Sequence, residues 1–184
     1  MKKKNPLRKY LLQFRPFLIF ISTFFAVYIL LTVIYKFYLN SFEPIEVDGI
    51  TDIVGHNVDQ LMRLFNCDIK IFKSVFDPYL EVWYNQKYIL RIVEGCNAVS
   101  VIILFISFIM AFSAKFKTTL FFILSGIFII YLLNVIRIAL LTVLLFHFPE
   151  YEHILHGVLF PLIIYGLVFL LWIIWVNKFS KYAK

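Results

Sequence analysis

Apolar residues in this chain gather into long runs instead of alternating with polar ones. Four runs, at residues 17–37, 98–114, 120–146 and 154–176, reach about 17 residues or more, which is the length that crosses a hydrocarbon core about 30 Å thick. They predict an all-α integral membrane protein with about four transmembrane helices. One aqueous stretch, residues 40–94, separates the first run from the second. Within it Ile53, Val54, Val58, Leu61, Met62 and Phe65 recur near the helical period behind Thr51, a residue able to cap a helix start. This predicts a helix lying on the membrane surface or over the bundle. After Asp77-Pro78, residues 79–84 and 87–93 are rich in β-branched and aromatic side chains and flank Asn85-Gln86. They predict a β-hairpin leading into the second span, although the turn lacks the glycine of the best two-residue turns. The organisation that follows is a basic head (1–16), a first transmembrane helix (17–37), an extracytoplasmic loop region (38–95), a three-helix membrane core (96–177) and a basic tail (178–184).

Composition agrees with the pattern: of 184 residues 62% are hydrophobic, and the mean hydropathy of +0.87 excludes a water-soluble globule. A net charge of +7 would point to nucleic acid only if it were collected on a soluble face. It is not, and no nucleic-acid partner is expected. Lys2, Lys3, Lys4, Arg8, Lys9, Arg15, Lys115, Lys117, Lys178, Lys181 and Lys184 flank the spans on one side, while all acidic residues fall on the other. Because positive flanks stay in the cytoplasm, both termini are expected there, with the protein multi-pass in the cytoplasmic (inner) membrane. The head resembles the n-region of a signal peptide, but its apolar stretch is longer than an h-region and no small-x-small cleavage site follows, so it reads as a retained anchor. Two cysteines without metal-type clustering argue against a disulfide-stapled or zinc module.

Polar residues within apolar spans are candidates for function, since lipid rejects them unless they face a partner or a hydrated cavity. Arg137 stands about nine residues inside the outer end of the third run, about 14 Å below that surface, with Asn134 on the same helical face. At the outer mouth of the second run is Glu94-Gly95-Cys96-Asn97-Ala98, which puts a thiol at or just before a helix N-terminus, where exposed amides favour the thiolate. Glu152, His153 and His156 sit at the outer mouth of the fourth, with His147 just beyond the third. Three separate stretches thus bring a nucleophile, a base and a fixed cation to one side of the membrane. His153 and His156 near Glu152 lack a third ligand of suitable spacing, so no metal and no cofactor is expected. The competing readings are a non-catalytic assembly or scaffold subunit, in which these polar groups pack helices, and a thiol oxidoreductase using Cys67 and Cys96.

At these residues the chain resembles the exosortase/archaeosortase family of membrane transpeptidases. The family shows a cysteine in a Glu-small-Cys-Ser/Asn-small context, an Asn-x-x-Arg on a later helix and a histidine or arginine heading another. The matching residues are Glu94 to Ala98, Asn134-Val135-Ile136-Arg137, and His153 in His153-x-x-x-Gly157-x-x-Phe160, with His156 the competing histidine. Alanine stands at 98 where glycine is common in the family, and four spans stand where many members have about eight. The short form is similar to the exosortase F branch of Bacteroidetes, and its brevity raises an accessory membrane protein as a further partner. The resemblance implies a cysteine transpeptidase, active on the periplasmic side, that cleaves C-terminal sorting segments of exported proteins through a thioester. It assigns Cys96 as nucleophile, His153 as acid–base and Arg137 as oxyanion or substrate clamp, with Glu94, Asn97 and Asn134 in support.

Overall fold

The computed structural model describes residues 13–112 and 114–180; the head residues Lys2, Lys3, Lys4, Arg8 and Lys9, and Lys181 and Lys184 of the tail, lie outside the described residues. The first helix, α1 (Arg15–Leu39), carries Pro16 in its opening turn, where a missing N–H costs nothing. The predicted loop helix is α2 (Gly49–Leu64). Its cap is Asp48, whose Oδ1 accepts from the amides of Ile50 and Thr51 at 3.0 Å each. Thr51, expected to be the cap, lies inside the first turn and is fully buried, because a better-placed carboxylate precedes it. The buried face of α2 is Val54, Val58 and Met62, spaced by four.

The predicted hairpin is β2 (Leu80–Tyr84) and β3 (Lys87–Ile92), and a further strand, β1 (Ile69–Lys73), completes an antiparallel sheet in the order β1-β2-β3. Asn85 and Gln86 take φ of 48° and 63°, the mirror-image turn that suits the twist of a hairpin even without glycine. In β1 Ile69 is buried and Ile71 half-buried on one face with Lys70 and Phe72 exposed on the other, an alternation too short to stand out in the sequence.

Beyond the sheet, a short apolar helix, α3 (Val99–Ala111), is followed by α4 (Phe116–His147) and by a helical run, Pro149–Phe179, whose regular part is α5 (Phe160–Ile174). Among the described residues three helices are long and apolar enough to cross a membrane: Arg15–Leu39, Phe116–His147 and Pro149–Phe179. The expected span at 98–114 is a helix of 13 residues, about 20 Å long, with Phe112 already extended. It runs antiparallel to α1, with Phe112 against Phe20 at 4.8 Å between ring centroids. Phe122 of α4 meets Trp175 and Phe179 at 4.9 and 5.4 Å, so Arg15, Lys115, Lys117 and Lys178 collect at one end of the bundle.

The 32 residues of α4 make a rod about 48 Å long, well over one hydrocarbon thickness. Its lower part joins α3 and α5 in a core of Phe105, Ile109, Ile130, Val168 and Trp175. Higher up, Val135, Ile138 and Ala139 enter a second core with α2 and the sheet, and Leu141 and Leu145 meet Ile89 and Leu90 of β3. Part of the apolar character of its last turns therefore faces protein, and the depth of about 14 Å expected for Arg137 counts turns that pack on the sheet.

Candidate active site

Cys96 closes a 3-10 turn, Glu94–Cys96, that links β3 to α3. Its amide donates to the Val93 carbonyl at 2.8 Å, and its carbonyl accepts from Nδ2 of Asn134 at 2.7 Å. Asn97 is almost wholly buried; its Nδ2 donates to Tyr35 Oη of α1 (2.8 Å) and to Thr51 Oγ1 of α2 (3.2 Å), while its Oδ1 accepts from the Val99 amide at 3.0 Å. The chain then reverses through Ala98 at φ 65° before α3 begins. Two asparagines thus fasten the cysteine turn to α1, α2 and α4. The sequence does not mark Tyr35, and it marks Thr51 only as a helix cap, since the partner of both is 62 and 46 positions away. The local signal was Asn97 itself, two residues before a helix start.

Along α4 from Lys115 to Asn134, and along α1 from Arg15 to Tyr35, the rise is about 28 Å and about 30 Å. The cysteine turn therefore stands about one hydrocarbon thickness from the basic end of the bundle.

Arg137 follows Asn134 on the same face and donates from Nη1 to Asn134 Oδ1 at 3.5 Å, a long and weak bond. Its Nε is buried without an acceptor among the described residues, a donor that an incoming carbonyl or carboxylate oxygen would satisfy. Cys96 and Arg137 line one cavity of about 420 Å³ together with Glu152 and His156. Glu152 and His156, four apart, share a helix face; all three residues are exposed, but His153 is rotated off that face and lies outside the lining. Glu94 is exposed and opens onto a different hollow, with Glu43, Glu46 and Asp48. Larger hollows of about 540 Å³ along β1 and about 600 Å³ beside the start of α1 contain none of these groups.

On the sheet side the cavity meets Tyr88, whose phenol is pushed up by burial and by neighbouring Tyr79, against the pull of Arg91, and so stays a neutral donor. Cys67 is free, as is Cys96. Cys67 precedes β1 at the end opposite Tyr84, whereas Cys96 follows Ile92, which pairs with Leu80. The two thiols sit at opposite ends of a sheet about 15 Å long, too far for a disulfide without rearrangement.

The family model described as Transmembrane exosortase (Exosortase_EpsH) matches residues 6–175. No curated protein and no solved structure matches the chain. The match runs from the basic head through α5 and takes in the cysteine turn, the Asn134–Arg137 face and the Glu152–His156 face alike. The chain belongs to the transmembrane exosortase family.

Proposed function

We propose that this protein is a membrane-embedded cysteine transpeptidase that cleaves C-terminal sorting segments of exported proteins, in the short form similar to the exosortase F branch. The single observation that carries the reading is the cavity in which Cys96, Arg137 and an imidazole meet. The Cys96 thiolate attacks the scissile carbonyl carbon; the C–N bond breaks, the acyl part stays on sulfur as a thioester, and the amine leaves with a proton from the imidazole. His156 is the imidazole in the lining, so it takes the acid–base role in preference to His153. The unpaired Arg137 donor faces the developing oxyanion, and Asn134 and Asn97 hold the turn and the cation in register. An amine or water then resolves the thioester. Segregation of basic from acidic residues supports a site that opens to the periplasm, with both termini in the cytoplasm.

Trapping tests this directly. In a Cys67→Ser chain, Cys96 is expected to carry a hydroxylamine-sensitive peptide fragment, and Cys96→Ala to abolish processing at unchanged membrane levels. Processing that survives Cys96→Ala would leave the protein as an assembly subunit.

A further inference from the structure

β3 is a free edge of the sheet. It pairs with β2 on one side, and among the described residues no group outside the sheet hydrogen bonds to Lys87–Ile92. The cavity that holds Cys96 and Arg137 is lined by five consecutive residues of this strand, Tyr88 to Ile92. Strand side chains alternate between faces, so a hollow against one face would meet every second residue; contact with five in succession means that it follows the edge. The edge also leads to the nucleophile. At the hairpin end Tyr84 meets Phe146 at 5.1 Å, and below β3 the Cys96 carbonyl is bonded to Asn134, so the strand descends along α4 over about 18 Å. The facing wall is Leu141 and Leu145 of α4.

We propose that this edge is the substrate-binding strand: an extended polypeptide segment adds beside β3 as a fourth strand, which lays its scissile bond against Cys96. The proposal rests on the proposed function and adds how the polypeptide is held. Edge amides and carbonyls bind the backbone of any sequence, while alternate side chains, pointing toward Arg137 and Leu141 or away from them, supply selection. A hollow of about 420 Å³ has the size of a ligand cleft and is too small for the edge of a second sheet. A second copy is disfavoured further because Lys87 and Arg91 would face like charges, and a lipid chain would leave the edge amides unpaired. The register shift opposite Val82 and Trp83 leaves Ile89 as an extra residue on β3, a bulge of the kind that re-aims a strand beside a site. A segment passing from an exported domain down to a membrane anchor runs in the direction of β3, so the added strand is parallel to it.

The test places a photoreactive amino acid at Lys87, Ile89 or Arg91 of β3, or at Lys70 or Phe72 on the opposite edge, in the full-length Cys67→Ser, Cys96→Ala chain in its own membranes. Captured peptides are then identified by mass spectrometry. The expected result is capture, from β3 only, of the stretch that precedes a transmembrane helix in an exported protein, with the Lys87 reporter reaching residues farther from that helix than the Arg91 reporter. Three sites on β3 keep the result independent of whether one variant folds. Capture of a second copy or of lipid, equal capture from β1, or capture without that order overturns the proposal. Ordered capture with no acyl fragment ever trapped on Cys96 would sink the transpeptidase reading and keep the edge; a trapped fragment without capture from β3 would do the reverse.

Discussion

Ala98 holds a φ of 65° at the point where the cysteine turn gives way to α3. A Cβ in that region costs about 1–2 kcal/mol, which glycine avoids at some loss of backbone entropy. Ala98→Gly is expected to raise stability by about 1 kcal/mol, read as a higher Tm in detergent, with processing retained. The resemblance marks glycine as common there, and its backbone reason appears only in the fold. Arg137 differs, since its geometry goes beyond charge: among the described residues its Nε has no acceptor while Nη1 leans on Asn134. Lysine keeps the charge and loses the planar fork. Arg137→Lys is expected to insert and fold, and to process substrate about 10²–10³ times more slowly in a cell-based cleavage assay. Residue types and motif order made Cys96, Asn134 and Arg137 legible. Which histidine reaches the cavity was not legible, because His153 and His156 differ by a helical rotation that only the packed face of the last helical run decides.

Apolar length carried most of the element prediction, and it misled where protein replaces lipid as the apolar surroundings. Leu141 and Leu145 of α4 read as membrane but pack on Ile89 and Leu90, whereas α3 is shorter than its apolar run because Phe112 leaves the helix. β1 escaped notice because its alternation covers only Ile69 to Phe72. Contact between α3 and α4 is close: a Cβ on Gly126 would lie 2.2 Å from the ring of Phe105, which is fully buried and has no room to retreat. Gly126→Ala is therefore expected to destabilise the bundle by about 1–3 kcal/mol in thermal unfolding in detergent. Gly166→Ala, where nothing lies within 4 Å, is the control and is expected to leave Tm level or slightly higher.

For the molecule as a whole, three long helices alone would leave head and tail on opposite sides, whereas charge segregation and the course of α3 beside α1 favour four crossings. Single reporter cysteines in a cysteine-free chain decide this: Lys117 and Lys178 are both expected to be shielded from an impermeant outside reagent, and Asp59 and Glu150 to be labelled. Labelling of Lys178 with Lys117 shielded would show that the last helical run ends outside. The long rod of α4, shared by two cores, also sets an order of events during synthesis. Everything from Asp48 to Cys96 leaves the ribosome before Val135, Ile138 and Ala139, which complete its core, and before Asn134, which grips the Cys96 carbonyl. The wall that carries Glu152 and His156 arrives later still. On the proposed mechanism, a nascent chain halted before α4 exposes a thiol with neither its clamp nor its acid, and it stays inert until its last helices have been inserted.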